Sequence, residues 1–179
     1  MQKAIKQIMD KVTDECVITS CGYISREVYG YRDRPRNFYV LGSMGSSLGV
    51  ALGLAYSRPD LKVIVIQGDG STLMSMGTLV LNHNLQLENI ETYVLDNGCY
   101  ASTGGQKTCS SYVSFSYYWN VADITDVGKE SNAPRIPISC QEIKRRFTNA
   151  IKDIRKQEVS KDSGQISASR RRRNNHRQG

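Results

Sequence analysis

Two short polar segments of the sequence contain the residue types that bind metal ions and phosphate groups. The segment Gly68-Asp69-Gly70-Ser71 follows the apolar run Leu61–Gln67, and Asn97 closely follows a second run, Thr92–Leu95. Asp69 supplies the carboxylate that a hard divalent cation prefers, and Asn97 supplies an amide oxygen. Glycines allow a tight turn that a ligand approaches closely, and the exposed N–H groups of such a turn attract phosphate. These residues therefore predict a site for Mg²⁺ and a diphosphate.

The segments that must position these residues alternate between helical and strand patterns. Apolar spacing predicts helices over residues 2–12, 24–31, 46–56 and 72–84, and strands over 16–19, 38–41, 61–67 and 92–95. Ser71 and Thr72 are expected to cap the helix over 72–84. Such alternation implies right-handed crossovers between parallel strands. We predict an α/β fold with an open, mostly parallel sheet and helices on both faces, which binds ligands at the carboxyl ends of its strands.

The helix predicted over residues 46–56 carries a repeat of small residues. Gly45, Gly49 and Gly53 recur every four residues and therefore share one helix face. Glycine leaves room for another backbone to come close. We expect this face to pack tightly against another helix.

The last third of the chain divides into an irregular region, a helix and a tail. Residues 101–138 show no regular apolar period, and a capping box, Ser139-x-x-Glu142, opens a final amphipathic helix. The chain after this helix is polar and rich in serine and arginine, a composition that does not support a packed core. We predict one domain over residues 1–157 and a basic, disordered tail over residues 158–179.

Most of the positive charge belongs to this tail. The chain has a net charge of +7 at pH 7. Residues 160–179 contain six basic side chains and one acidic side chain, so five of the seven net positive charges lie there. Arginine clusters bind phosphate backbones through counterion release, which makes nucleic-acid binding by Arg170–Arg173 an alternative function. The domain itself is nearly neutral, and we expect it to bind no nucleic acid.

Cysteine usage and hydropathy indicate a reducing, aqueous compartment. The five cysteines are scattered without a C-x-x-C pair, so we expect free thiols. Apolar stretches end well before the roughly 20 residues that a membrane span needs. The N-terminal residues lack the apolar core of a signal peptide. These features predict a cytoplasmic protein without membrane contact.

The spacing of the two polar segments is more specific than either segment alone, because Asp-Gly is also common in hairpin turns. The order of strand, Gly-Asp-Gly-Ser, helix, strand and asparagine resembles the signature of thiamine-diphosphate enzymes. Over residues 5–155 the chain is similar to the sulfopyruvate and phosphonopyruvate decarboxylase family. The segments that carry this similarity are Gly22–Glu27, Leu41–Gly45, Gly68–Ser71 and Ser102–Gln106.

The resemblance implies two ligands, thiamine diphosphate and Mg²⁺. Asp69, the Asn97 side chain and the main-chain carbonyl of Cys99 would bind the ion, and Met44 would lie under the bent cofactor. The residues expected to bind the cofactor are Gly42, Ser43, Met44, Gly68, Asp69, Gly70, Ser71, Asn97, Cys99 and Tyr100. The loop expected to border the substrate consists of Ser102, Thr103, Gly104, Gly105 and Gln106.

The resemblance also implies an activity and a partner. Members of the family decarboxylate small 2-oxo acids with a sulfonate or phosphonate at carbon 3, and the bound cofactor acts as the electron sink. In heteromeric members the short chain is the β subunit. The glutamate that activates the cofactor lies in a separate pyrimidine-binding domain, for which this chain has no room, so an α-type subunit is expected. Arg26 and Lys107 are candidate contacts for the second anionic group, with surface ion pairing as their alternative role.

Some features depart from the family or favour other functions. Lys107 stands where a proline is common, and no closing strand is recognisable after the last helix. His83 is expected to be a solvated or capping histidine and not a catalytic residue. A regulatory module that binds the cofactor without catalysis is an alternative, which an absence of decarboxylation with the correct partner would favour. A Rossmann dinucleotide site is disfavoured because Gly42-x-x-Gly45-x-x-x-Gly49 does not match G-x-G-x-x-G.

Overall fold

A five-stranded parallel sheet forms the centre of the protein, in a computed structural model that describes residues 1–125, 127–128 and 130–154. Its spatial order is β2-β1-β3-β4-β5, and all neighbouring strands are parallel. The strands are β1 Cys16–Thr19, β2 Asn37–Tyr39, β3 Val63–Gly68, β4 Ile90–Leu95 and β5 Val121–Ile124. The predicted α/β fold with a parallel sheet is confirmed.

Helices cover both faces of the sheet. They are α1 Gln2–Lys11, α2 Tyr23–Arg32, α3 Ser47–Ser57, α4 Asp69–Met74, α5 Met76–Leu85 and α6 over residues 140–154. Val63 and Val65 of β3 belong to a core shared with α3 and α5, whereas Ile64 and Ile66 belong to a core shared with α1 and α2. Successive strand residues point to opposite faces, so a central strand covered on both sides is apolar throughout.

The last helix closes one edge of both cores. Ile143 packs in the core with α1 and α2, and Phe147 packs in the core with α3 and α5. Its start is capped as predicted, because the Glu142 N–H donates a hydrogen bond to Ser139 Oγ at 3.2 Å. No helix in the described part of the chain is long and apolar enough to cross a bilayer. The predicted tail, residues 158–179, lies outside the described residues.

Two predicted elements differ from the structure. The single helix predicted over residues 72–84 is two helices, α4 and α5, which are separated at Ser75, where φ is −114° and ψ is 27°. The first of them begins at Asp69 with Gly68 as its N-cap, so the prediction that Ser71 and Thr72 cap it is wrong. The region predicted to be irregular contains β5, which extends the sheet beside β4.

The glycine face of α3 was predicted to pack tightly. Within the described chain, this prediction is wrong for Gly49 and Gly53. A Cβ added at Gly49 or Gly53 would meet no heavy atom within 4 Å, whereas one at Gly45 would lie 3.0 Å from the Cβ of Met74. On the same helix, Val50 is 41% exposed and Tyr56 is 67% exposed. The outer surface of α3 is therefore open and partly apolar.

Candidate functional site

A pocket lies at the carboxyl edge of the sheet, between β1 and β3. These strands are neighbours, and the chain proceeds from β1 to one side of the sheet and from β3 to the other. A crevice forms at such a switch point because the connections after the two strands diverge. Eight of the ten residues predicted to bind the cofactor line this pocket, all except Gly42 and Ser43. The structure thus brings most of the predicted site together.

The Gly68–Ser71 segment forms the buried wall of the pocket. Asp69 is only 3% exposed, and its carboxylate accepts a hydrogen bond from the Thr108 hydroxyl. The Ser71 hydroxyl accepts a hydrogen bond from the Gly45 N–H at 3.2 Å. Both side chains are therefore held in place by residues from other loops.

Asn97 opens the facing loop, which follows β4. Its side-chain oxygen accepts the N–H of Cys99 at 3.0 Å, so the chain turns at Gly98, where φ is +67°. Cys99 then pairs with Lys107 in an isolated antiparallel bridge. This turn brings Asn97 and Cys99 to the same pocket as Asp69, which follows the neighbouring strand.

Two side chains lie against Gly70 and explain why this position has no side chain. A Cβ at Gly70 would overlap the ring of Tyr100 and would lie 3.1 Å from the terminal methyl carbon of Met44. Met44 comes from the loop before α3, in which Ser43 has a positive φ of 46°. Gly42 lies in the same loop, and a Cβ there would meet open space. Met44 and Tyr100 thus converge on the turn, as their predicted roles require.

Carboxylates concentrate at this edge of the sheet. Burial raises the pKa of Asp69, and the nearby Asp96 carboxylate raises it further, whereas the Thr108 hydrogen bond opposes both effects. Burial, Asp96 and Asp69 all raise the pKa of Asp123. Like charges in a partly buried setting disfavour one another. A bound cation would relieve this repulsion.

Two hydroxyl groups connect these carboxylates, and the sequence reasoning did not identify them. The Thr108 hydroxyl donates to Asp69, and the Ser110 hydroxyl donates to Asp96 at 3.0 Å. The two hydroxyl oxygens are 3.1 Å apart. The only sequence signal is a pair of hydroxyl residues two positions apart after the glycine-rich loop, and serine and threonine are too common in loops for this pair to be noticed.

The predicted substrate loop is only partly at the pocket. Ser102 and Thr103 line it. Ser102 also packs against Gly22, because a Cβ at Gly22 would lie 3.1 Å from its hydroxyl oxygen. The other three predicted loop residues, Gly104, Gly105 and Gln106, are exposed and do not line the pocket.

The two candidate contacts for a second anion lie outside the pocket lining. The Arg26 guanidinium lies over the ring of Tyr23, 5.5 Å from its centroid, and Tyr23 itself lines the pocket. Lys107 is exposed and pairs with Cys99 where the loop returns. His83 stacks on Tyr117 with ring centroids 5.5 Å apart and is not among the residues that line the pocket.

The chemistry of the donor set fits Mg²⁺ and a diphosphate. Asp69, Asn97 and Cys99 all line the pocket, and they offer a carboxylate, an amide oxygen and a main-chain oxygen. Hard cations prefer such oxygen ligands and keep other positions for phosphate oxygens and water. No cluster of three or more His, Cys, Asp or Glu suited to a metal occurs in the described residues. The expected set does not require such a cluster, because it contains only one acidic side chain.

Comparisons with known proteins agree with this geometry. Residues 19–160 match the family described as "Thiamine pyrophosphate enzyme, C-terminal TPP binding domain". The chain is 45% identical over 111 residues to the sulfopyruvate decarboxylase subunit beta of Methanothermobacter thermautotrophicus, which covers 62% of this chain and 60% of that protein. It is 35% identical over 177 residues to the same subunit of Methanococcus maripaludis. That match covers 83% of this chain and 95% of that protein.

A longer relative matches only in part. The sulfopyruvate decarboxylase of Methanosarcina acetivorans is 32% identical over 184 residues, which cover 86% of this chain but only 47% of that protein. Phosphonopyruvate decarboxylase of Streptomyces viridochromogenes is 45% identical over 100 residues, or 25% of its own length. The family match covers most of the chain, and the match to the M. maripaludis subunit spans nearly that whole protein. The chain therefore belongs to the thiamine pyrophosphate enzymes, through their C-terminal TPP-binding domain, and within them to the sulfopyruvate decarboxylase β-subunit family.

Proposed function

We propose that this chain is the thiamine-diphosphate- and Mg²⁺-binding subunit of a 2-oxo acid decarboxylase. The observation that carries the proposal is the convergence of Asp69, Asn97 and Cys99 on one pocket at the switch point of the sheet. Asp69 and Asn97 would hold the ion, and the absence of a side chain at Gly70 leaves room for Tyr100 and Met44 beside the turn. When bound, thiamine diphosphate supplies the electron sink for loss of CO₂.

The chain's own residues would bind and orient the cofactor. Met44 and Tyr100 lie against the turn at Gly70 and would restrict the position of a bound cofactor there. Ser71 ties the loop of Met44 to the same turn through the Gly45 N–H. A cofactor held by several fixed groups keeps its reactive carbon in one place relative to the substrate.

We infer that a partner subunit completes the active site. Among the described residues, no glutamate lines the pocket. This supports the expectation from the resemblance that the glutamate that activates the cofactor comes from another chain. The Methanosarcina relative supports this arrangement, because this chain corresponds to only 47% of it and the remainder has room for a second domain. The α-type subunit of the relatives named as β subunits is the expected partner.

The open surface of α3 is the surface we propose for this partner. Val50 and Tyr56 are exposed there, and Gly49 and Gly53 have no neighbour within the described chain. Contiguous exposed apolar surface on a small domain marks an interaction site. The surface adjoins the pocket, because the loop that leads into α3 carries Met44 and Gly45, which contact Gly70 and Met74. A partner bound here would reach the cofactor.

The proposed substrate is a small 2-oxo acid with an anionic group at carbon 3, of the sulfopyruvate or phosphonopyruvate type. Ser102 and Thr103 provide hydroxyl groups at the pocket. The Arg26 guanidinium lies over the ring of Tyr23, a pocket residue, and is a candidate contact for the sulfonate or phosphonate. A guanidinium can bind either group through paired hydrogen bonds.

The test is calorimetric binding of thiamine diphosphate in the presence of Mg²⁺ to the full chain, alone and with the α-type subunit. We expect tight binding with the partner, and a loss of affinity of more than about 100-fold in Asp69→Ala, because a direct metal ligand is removed. Asp14→Ala is the matched control, since this carboxylate is 92% exposed and its ion pair among the described residues is with Arg36 at the surface. Absence of binding by the wild-type complex would show that the proposal is wrong.

A further inference from the structure

Asp69 and Asp96 follow neighbouring strands and are linked by a continuous row of hydroxyl groups. The row runs from the Asp69 carboxylate through Thr108 and Ser110 to the Asp96 carboxylate. Ser110 is only 5% exposed, so water does not readily replace this contact. The link is therefore a fixed part of the site and not a surface contact.

The directions of these hydrogen bonds follow from the number of available protons. An ionised carboxylate only accepts hydrogen bonds, and each hydroxyl has one proton to donate. Thr108 must therefore donate to Asp69, and Ser110 must donate to Asp96. No proton remains for a hydrogen bond between the two hydroxyls, so the Ser110 oxygen, 3.1 Å from the Thr108 oxygen, can limit the Thr108 hydroxyl only by packing against it. The row thus fixes one proton toward each carboxylate.

The backbone also holds Thr108 at a fixed position. Its N–H donates to the Gly98 carbonyl at 3.0 Å, and the preceding residue, Lys107, pairs with Cys99. Thr108 is therefore anchored to the turn that carries Asn97. A shift of that turn would move the Thr108 hydroxyl relative to Asp69. The two predicted metal-binding side chains are thus connected through one threonine.

We propose that Thr108 is a positioning residue, supported by Ser110, that orients the Asp69 carboxylate for the metal ion and fixes Asp69 relative to the loop of Asn97. This inference rests on the proposed function. A hydrogen bond to one carboxylate oxygen restricts rotation of the carboxylate, so that the ligand does not need to be ordered when the ion binds. Groups that orient metal ligands in this way affect metal affinity about 10- to 100-fold.

The experiment measures Mn²⁺ binding by electron paramagnetic resonance, with Mn²⁺ as a probe for the Mg²⁺ site. It uses the full chain in complex with its α-type subunit and saturating thiamine diphosphate. Thr108→Val removes the hydroxyl at similar size and is expected to weaken Mn²⁺ binding about ten-fold. Thr108→Ser keeps the hydroxyl and is expected to stay within about two-fold of wild type. Ser110→Ala acts through Thr108 and is expected to weaken binding about three-fold.

The outcomes separate this inference from the proposed function. A wild-type complex that binds neither Mn²⁺ nor thiamine diphosphate would overturn both. Wild-type binding together with unchanged affinity in Thr108→Val would overturn the role of Thr108 alone. The role of Thr108 is also overturned if Thr108→Val lowers the thermal midpoint but not the Mn²⁺ affinity. It is overturned as well if Thr108→Ser loses as much Mn²⁺ affinity as Thr108→Val. If Thr108→Val does not fold, unchanged Mn²⁺ affinity in Ser110→Ala overturns the inference.

Discussion

The connections after β3 and β4 begin side by side, since Gly68 pairs with Leu95, but they are built differently. After β3 the chain turns at once into α4, and Asp69 and Ser71 are buried. After β4 it forms a long loop, which is exposed from residue 102 to residue 107. The short connection is buried and tied to other loops, whereas the long one is exposed and held by hydrogen bonds within its own backbone.

The hydrogen bonds of the long connection return the chain to the site. The Tyr100 N–H donates to the Gln106 carbonyl at 2.8 Å, and the Gly105 N–H donates to the Tyr100 carbonyl at 3.0 Å. Gly104 and Gly105 have positive φ values of 124° and 75°, which only glycine adopts without strain. The two connections differ in this respect: the candidate ligand Asp69 comes from a buried turn, whereas the candidate ligands Asn97 and Cys99 come from a loop that folds back on itself.

Cysteine labelling gives the largest expected contrast, because a thiol in the core can be compared with a thiol on the long connection. Cys16 pairs with Val63, the first residue of β3, and burial raises the pKa of its thiol to about 11. Cys109 is exposed at the end of the long connection. We expect iodoacetamide at pH 8 to label Cys109 at least about 100-fold faster than Cys16, since only an accessible thiolate reacts.

The pH dependence of this labelling has a defined sign. Raising the pH from 8 toward 11 should accelerate labelling of Cys16, because its thiolate forms only as the pH approaches the raised pKa. Cys109→Ser identifies the fast site by mass spectrometry. Equal labelling rates at Cys16 and Cys109 at pH 8 would show that the core beneath β3 opens as readily as the loop.

A second prediction concerns the point where the two connections touch, Gly70 and Tyr100. Gly70→Ala should lower the free energy of unfolding by about 1–3 kcal/mol, because the new Cβ overlaps the Tyr100 ring. Gly77→Ala is the matched control: a Cβ there meets no atom within 4 Å, and alanine favours the helix by roughly 1 kcal/mol. Urea unfolding measures both variants. A loss in Gly70→Ala that persists unchanged in Gly70→Ala/Tyr100→Ala would refute the steric explanation.

The smallest predicted effect concerns the carboxylates that the two connections bring together. Burial, Asp96 and Asp69 raise the pKa of Asp123, so its ionised form is disfavoured in the folded state. This penalty is present above the folded pKa and disappears as the pH falls below the unfolded pKa. Asp123→Asn should therefore stabilise the metal-free protein at pH 7 by on the order of 0.5 kcal/mol. The gain should shrink toward pH 4, and urea unfolding at both values measures it.

A gain from Asp123→Asn that stays constant between pH 7 and pH 4 would contradict the electrostatic cause. Asp14→Asn is the control for this series, because the Asp14 side chain is 92% exposed. We expect its effect on stability to be near zero at both pH values. The two variants together separate the clustered carboxylates of the site from a carboxylate at the surface.

The sequence by itself determined the order of the elements as far as β4, apart from the division of α4 from α5, and the candidate ligands of the site. Residues 16–18 and 63–66 are apolar in every position, and this pattern is local to each strand. Asp69 and Asn97 were predicted as ligands because each lies two positions after the end of a predicted strand, and parallel strands end at the same edge of a sheet. The proposed roles of these residues await the binding experiments.

Only the tertiary structure decided the features that depend on residues distant in sequence. The strand β5 has a weak pattern, Val-Ala-Asp-Ile, and is a strand because β4 pairs with it. The hydrogen bond from Thr108 to Asp69 joins positions 39 residues apart, and no local pattern encodes it. Likewise, whether Gly49 and Gly53 pack or remain open depends on what else folds against α3. Periodicity specifies which face of an element is apolar, but the neighbours of that face are fixed only when the chain folds.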